Sequence, residues 1–182
     1  MTRTAFIETE RTALRALEDD DVEFLRRCQE PAVRAHIPIL NTPTGNDGWR
    51  GYVEQTREDD TILTMLVETD EPIGEVMFRP LYRAAGRAEL GLWLVPEVWG
   101  EGYGTEVTEA MLRYGFEDLR LHRITATPLA RNERSRALLE SLGFLEEGRS
   151  RESRYTDGSY VDEIQYAMLE DEWSDRFGEN PA

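Results

Sequence analysis

The sequence predicts an α/β fold of the α+β kind, with helices layered on a largely antiparallel sheet, and three observations carry that reading. Strand-like runs follow one another through short turns between Thr61 and Val95, the last with clean period-two alternation. A Gly-rich turn then opens a helical stretch that leads to another strand. A hairpin with an Asp157-Gly158 turn signal comes near the end. No internal repeat, low-complexity segment or linker divides the 182 residues, so residues 1–182 read as one domain. A core of that size needs no disulfide or metal support.

Taken in order, Glu10 to Leu17 is an opening strand. Asp19-Asp20-Asp21 offers an N-cap and favourable first-turn charge for a helix to about Arg34. Val22, Leu25, Cys28 and Val33 form its apolar stripe. Pro38 to Trp49 reads as a loop, and a short helix follows at Trp49 to Arg57. Thr61 to Glu68 and Ile73 to Arg79 are strands joined by a turn at Thr69-Asp70-Glu71-Pro72. In Ala88 to Val95, Leu90, Leu92 and Leu94 face one way, and Glu89, Gly91, Trp93 and Val95 the other. Pro96 has no N–H to give and ends the pairing. A helix from about Thr105 to Leu119 buries Val107, Ala110, Met111 and Tyr114. After a strand at His122 to Thr127, Asn132 caps a helix that stops at Gly143. Phe144 to Arg154 and Ser159 to Leu169 form the hairpin.

Composition narrows the function. With 37 acidic residues against 21 basic ones the net charge is −16, which disfavours nucleic acid as a partner, because phosphate binding needs a basic surface. No run of about 18 apolar residues suggests a membrane span. Met1 to Glu10 lacks the basic start and apolar middle of a signal peptide, so a cytoplasmic protein is expected. Every one of the 21 basic residues is arginine. Without lysine, a Walker-type phosphate loop and Schiff-base chemistry are excluded. An acidic, lysine-free chain resembles the proteins of salt-adapted, halophilic microbes. At about 1 M salt, charges beyond about 3 Å are largely screened, which makes the self-repulsion tolerable. An acidic surface that draws in amines is the competing explanation. The single cysteine, Cys28, sits in a helical pattern and reads as packing. His36 and His122 are isolated, so no metal site is expected.

The motif that carries chemistry is Trp99-Gly100-Glu101-Gly102-Tyr103-Gly104-Thr105, set between a strand and a helix. Its glycines leave no side chain between the backbone and a bulky anion. The first N–H groups of the following helix lack internal partners and point at that anion with the helix dipole behind them. A pyrophosphate suits this geometry without lysine. The third glycine stands at 104 and not 105, so the spacing departs from a dinucleotide fingerprint. Alone, the motif supports only an anion at a helix start.

The stretch ELGLWLVPEVWGEGYGTEV, followed by ARNERSRALLESLGF, resembles the GNAT superfamily of N-acetyltransferases. Within it the resemblance is to the ribosomal-protein (RimJ/RimL-like) branch. It extends to ERTALRAL, to EPIGEV, to the GF-x-EEG step and to Asp162–Trp173. It implies the GNAT acyl-CoA N-acyltransferase fold, with splayed central strands flanked by helices, and acetyl-CoA as co-substrate. The strand Glu89–Val95 would carry a bulge and part from His122–Thr127. The pantetheine arm would pair with the backbone of Trp93, Leu94 and Val95. The pyrophosphate would rest on the amides of Trp99, Gly100, Glu101, Gly102, Tyr103, Gly104 and Thr105. Asn132 and Ser135 match the element whose side chains reach the pantetheine and the thiol end.

Many members of the superfamily use a tyrosine on the last helix as the acid for the leaving thiolate. Asn132 to Leu142 has none, which makes Ser135 the candidate. Glu89 is the first candidate base; its alternative is a strand-edge carboxylate paired with Arg87 or Arg123. Glu75 could serve instead, and Asp162 reads as the structural partner of a nearby arginine. Transfer is expected to be direct, without an acyl-cysteine at Cys28. The expected acceptor is a protein N-terminal α-amine, bounded by Pro38–Trp49 and Phe144–Tyr160. A small-molecule amine (polyamine, amino acid or drug-like amine) and a non-catalytic acyl-CoA-binding module are the alternatives. A homodimer through the terminal hairpin is compatible with the pattern.

Overall fold

The computed structural model describes residues 4–37, 43–156 and 158–177. One sheet of eight strands runs in the order β1-β2-β3-β4-β5-β6-β8-β7. The strands are β1 (Ile7–Glu8), β2 (Ala13–Ala16), β3 (Leu63–Glu68), β4 (Pro72–Tyr82), β5 (Arg87–Leu94), β6 (Arg123–Ala126), β7 (Leu145–Thr156) and β8 (Ser159–Leu169). All neighbours are antiparallel except β5 and β6. That exception follows from the connection: the chain leaves β5 through helix α4 (Tyr103–Arg113), and a parallel pair requires such a crossover.

The expected helix from Asp19 to Arg34 is broken. Two 3-10 turns, Asp19–Asp21 and Arg26–Gln29, alternate with α1 (Val22–Leu25) and α2 (Pro31–Arg34). Pro31 is the cause, since its ring disfavours helical geometry in the residue before it, and Glu30 is held at ψ 139°. The predicted stripe survives the break, with Val22, Leu25, Cys28 and Val33 all buried. Helix α3 (Asn46–Glu58) starts ahead of the expected Trp49. Helix α4 passes after Arg113 into a π-helical turn, Tyr114–Asp118. Helix α5 (Glu133–Leu142) has the predicted ends: the Asn132 side chain accepts from the Ser135 amide, and Gly143 is left-handed at φ 97°.

Two elements were not anticipated, β1 and α6 (Glu170–Phe177). Residues 38–42 and Asp157 lie outside the described residues. The predicted loop is therefore seen only from Pro43, and the hairpin turn only through Gly158. Among the described residues no helix is long and apolar enough to cross a membrane.

Both faces of the sheet centre are covered. On one, Val107, Met111 and Leu112 of α4 are fully buried; on the other, Phe24 of α1 stacks on Trp93 of β5 at 5.5 Å. The parting of β5 from β6 positions the site. They pair only at Arg87↔Arg123, Ala88↔Ile124 and Glu89↔Thr125. Beyond Ala126 the chain turns to β8: Ile164 N donates to the Pro128 carbonyl (3.0 Å) and Ala130 N to that of Asp162 (2.8 Å). The expected bulge in β5 is found in β4 instead. Phe78 pairs with Leu90 and Leu81 with Ala88, so β4 carries the extra residue opposite Glu89.

One charged group is part of the core. Arg15 is buried at 1% exposure and holds Asp21 through both terminal nitrogens (2.8 and 2.9 Å) and Glu68 through Nε (2.8 Å). It ties β2 to β3 and to the first helical turn. Substituting Arg15→Met removes the guanidinium from the buried Asp21 carboxylate, a loss of about 3–5 kcal/mol. Urea denaturation is expected to show that loss as a lower midpoint with an unchanged slope.

Candidate active site

A cavity of about 530 Å³ opens where β5 leaves β6. Leu90, Leu92, Trp93 and Leu94 of β5 form one wall. Trp99, Gly100, Gly102, Gly104 and Thr105 of the Gly-rich turn form its end, and Asn132, Ser135 and Leu138 of α5 face them. His36 and Ile37, just after α2, contribute to the rim. Most of the sequence-predicted residues line this cavity; Glu89, Val95, Glu101 and Tyr103 do not.

The turn owes its shape to glycine. Gly100 and Gly102 take φ of +83° and +88°, the left-handed region that costs other residues about 1–2 kcal/mol. Gly104 serves closeness instead, since a Cβ there would meet Leu138 Cδ1 at 2.9 Å and require that side chain to shift.

The expected row of seven amides narrows to four. Trp99 N donates to Pro96 O (3.2 Å), Glu101 N to Val98 O (3.4 Å) and Thr105 N to Gly102 O (3.1 Å). Among the described residues, the amides of Gly100, Gly102, Tyr103 and Gly104 have no hydrogen-bond partner. They are clustered at the N-terminus of α4, where the dipole favours an anion.

Arg11, which sequence reasoning did not single out, holds this turn from behind. Its Nη1 donates to Glu101 O (2.9 Å), its Nε to Glu106 Oε2 (2.7 Å) and its amide to Glu106 Oε1 (2.9 Å). Its guanidinium also lies over the Tyr103 ring at 4.4 Å. Tyr103 and Glu101 therefore serve the outer side of the turn. Nothing local in the opening strand signals a partner so distant in sequence.

The backbone of β5 is likewise partly committed. Val95 N donates to Ile73 O (2.8 Å), and the alternation of the antiparallel ladder turns Trp93 toward Glu75 in the same way. The expected open backbone at Trp93 and Val95 is thus already paired with β4. Leu92 and Leu94 face the gap, with the Leu94 carbonyl taken by Trp99 Nε1 (2.8 Å).

Glu89 is the last residue of β5 paired to β6 and is half-buried at the base of the gap, outside the cavity lining. Burial raises its pKa and nearby Glu163 adds to this, while Thr127 and Arg154 pull the other way. The alternative partners are engaged elsewhere: Arg123 binds Glu147 (2.8 Å) and Arg87 covers the Tyr82 ring. Glu75 is 3% exposed, and its two oxygens accept from Tyr52 Oη (2.6 Å) and Trp93 Nε1 (2.7 Å), so it is a buried strut for the wall. Burial pushes the Cys28 thiol up to about 12, which leaves it a poor nucleophile. Asp162 accepts from Arg149 Nε (2.5 Å) and Glu152 N (2.7 Å), within the irregular part of β7.

On α5 the Asn132 oxygen is used in the cap (3.2 Å to Ser135 N), which leaves its NH₂ group for a ligand. The Ser135 hydroxyl has no hydrogen-bond partner among the described residues.

The model of the "Acetyltransferase (GNAT) domain" family matches residues 11–145. The chain belongs to the GNAT acetyltransferase family. As such it is an acyltransferase that moves acetyl from acetyl-CoA to an amine nitrogen. Among its relatives is the protein named "Putative ribosomal N-acetyltransferase YdaF" of Bacillus subtilis (strain 168), 36% identical over 172 residues, which span 90% of this chain and 94% of the relative. The [Ribosomal protein uS5]-alanine N-acetyltransferase of Escherichia coli (strain K12) is 30% identical over 136 residues, 72% of this chain and 70% of that one. The fold is shared with spermidine N-acetyltransferase from Vibrio cholerae, solved with CoA and spermine (TM-score 0.84, 24% identity, 90% of this chain and 98% of that one).

In this GNAT chain, Gly102→Val places a β-branched residue at a left-handed position, where the turn must rearrange. Calorimetric titration is expected to show acetyl-CoA binding lost, with the far-UV circular dichroism spectrum retained.

Proposed function

We propose that this GNAT enzyme acetylates the α-amine of a protein N-terminus, with acetyl-CoA seated between β5, α4 and α5. The observation that carries the donor seat is the group of four unpaired amides at Gly100, Gly102, Tyr103 and Gly104, directly beside the open edge of β5. They suit a diphosphate, and the edge at Leu92 and Leu94 suits the amide groups of a pantetheine arm. The acceptor reading rests on the relatives, two of which carry ribosomal N-acetyltransferase names.

The residues then divide the work. Glu89, held at a raised pKa by burial, accepts the proton that an ammonium must lose before it can attack. An N–H on the open edge of β5 donates to the carbonyl oxygen as it gains charge, worth about 3 kcal/mol per donor in comparable sites. The Ser135 hydroxyl, free of other partners, hydrogen-bonds the departing sulfur. Acetyl passes directly to the amine, because the thiol of Cys28 is buried and held protonated.

A small polycationic amine is the second reading, motivated by the half-buried carboxylate of Glu89, whose electrostatic neighbours are Glu163 and Arg154. Thiol release from acetyl-CoA decides between them. Short peptides with free N-termini are expected to be turned over at a higher kcat/KM than polyamines, amino acids or drug-like amines. The reverse order overturns the peptide assignment and leaves the donor seat standing.

Glu89→Gln tests the base. Since Glu89 must be ionised to accept a proton, its contribution is lost as pH falls through its raised pKa. The variant is expected to show a kcat lowered by about 10²–10⁴-fold, without that acidic limb. A kcat–pH profile that keeps the wild-type limb removes Glu89 from the mechanism.

A further inference from the structure

Glu163 of β8 is a carboxylate that the reaction described above leaves without a task. It is only 7% exposed, and a charged group so enclosed needs a counter-ion. Arg154 of β7 supplies one, donating to Glu163 Oε1 from Nε (3.1 Å) and Nη2 (2.9 Å). The irregular part of β7 brings them together. Ser150 pairs with Glu163 and Arg154 with Val161, so β7 carries extra residues between them, and Glu152 among these turns to φ +50°. Both bonds end on Oε1. Among the described residues Oε2 has no hydrogen-bond partner, so one oxygen of this carboxylate is left to act on its surroundings.

The sheet register says what it acts on. Glu89 pairs with Thr125, and Thr125 with Ala167. Paired residues share a face, and alternation along β8 places Glu163 on the same face as Ala167. The Thr127 hydroxyl donates to the Glu89 carboxylate, and Leu129, just beyond, bridges to Glu163. One short run of chain therefore links the two carboxylates. The other charged groups near Glu89 are engaged elsewhere. Arg87 covers the Tyr82 ring, Arg123 binds Glu147, and Arg79 lies over the Tyr52 ring at 6.0 Å. Glu75, which faces the same way from β4, accepts from Tyr52 and Trp93, and the Cys28 thiol is held protonated. Among the described residues, Glu163 and Arg154 are the charged groups that bear on Glu89, and Glu163 is the stronger of the two.

Resting on the assignment of Glu89 as the base, we infer that Glu163 is a positioning residue for the acetyl transfer: its negative charge, held in the fold by Arg154, faces Glu89 and makes it a stronger proton acceptor. A carboxylate serves best as a base when its proton affinity is brought toward the operating pH, and a like charge on the same face does that. Glu163 touches neither donor nor acceptor in this role and acts only through Glu89.

The kcat–pH profile tests this on wild type, Glu163→Gln, Glu163→Asp and Glu89→Gln, at saturating acetyl-CoA and with the acceptor that the thiol-release assay favours. Glu89 works when ionised, so removing a like charge moves the acidic limb to lower pH. Glu163→Gln is expected to move that limb down by about one pH unit and to lower the plateau severalfold, because the base is weaker. Glu163→Asp keeps the charge and holds the limb near its wild-type position. An unmoved limb in Glu163→Gln overturns the inference. So does a kcat that falls equally at every pH, which would make the pair with Arg154 a purely structural tie. The limb is expected to vanish in Glu89→Gln. If it survives there, the assignment of Glu89 as base fails and the inference falls with it. A limb lost in Glu89→Gln yet unmoved in Glu163→Gln overturns the role of Glu163 alone.

Discussion

Parallel strands β5 and β6 share hydrogen bonds over three residue pairs and then separate, and the site depends on that separation. A sheet does not open spontaneously at its centre, because each unpaired N–H and C=O left inside it loses a partner. Here the groups are reassigned. The segment after β6 bonds to β8, Pro128 has no N–H to lose, and the far edge of β5 is left for something that can hydrogen-bond like a strand. The extra residue of β4 falls opposite Glu89, at the level where the two strands part. One local rearrangement therefore produces an open backbone edge and a cavity, with a half-buried carboxylate at their base.

The rest of the site is scaffolding that keeps this opening in shape. Arg11 fastens the outer side of the Gly-rich turn to the first helical turn of α4, and Trp99 fastens its inner side to the end of β5. Gly104 lets α4 and α5 meet at the floor. Behind the wall, the buried carboxylate of Glu75 joins Trp93 of β5 to Tyr52 of α3. A buried polar group is costly unless it is hydrogen-bonded, and both oxygens of Glu75 have partners here. Positive potential at the turn comes from peptide dipoles, in a chain of net charge −16.

Much of this was legible in the sequence where the signal is local. Period-two alternation located β5, the Asp157-Gly158 signal located the hairpin, and Asn132 with Gly143 located both ends of α5. The donor motif was legible for the same reason, because strand, glycines and helix are consecutive. What escaped depends on distant or weak signals. Pro31 breaks a helix that the apolar stripe alone would continue. Helix α6 is acidic and nearly all polar, fixed by Trp173 against Phe116, so its own pattern is too faint to read. Which amides of the turn remain free depends on the preceding 3-10 turn at Pro96–Val98, which uses the N–H of Trp99, while Val98 O takes that of Glu101. Arg11 and Glu75 owe their places to partners that only the folded sheet brings near.

Apart from His122 beside Glu170 (3.8 Å), the ion pairs among the described residues, from Arg15 in the core to Arg11 behind the turn, use guanidinium. Guanidinium stays charged at any pH a protein survives, so these contacts do not weaken as the medium turns alkaline. Amine nucleophiles are released from their protons in that same direction, an α-amine at about 7.7–8.0. The scaffold is thus indifferent to the titration on which the chemistry depends. The choice of arginine has a second effect: these 182 residues contain no ε-amine. An enzyme that handles activated acetyl groups here offers them no side-chain amine of its own to modify.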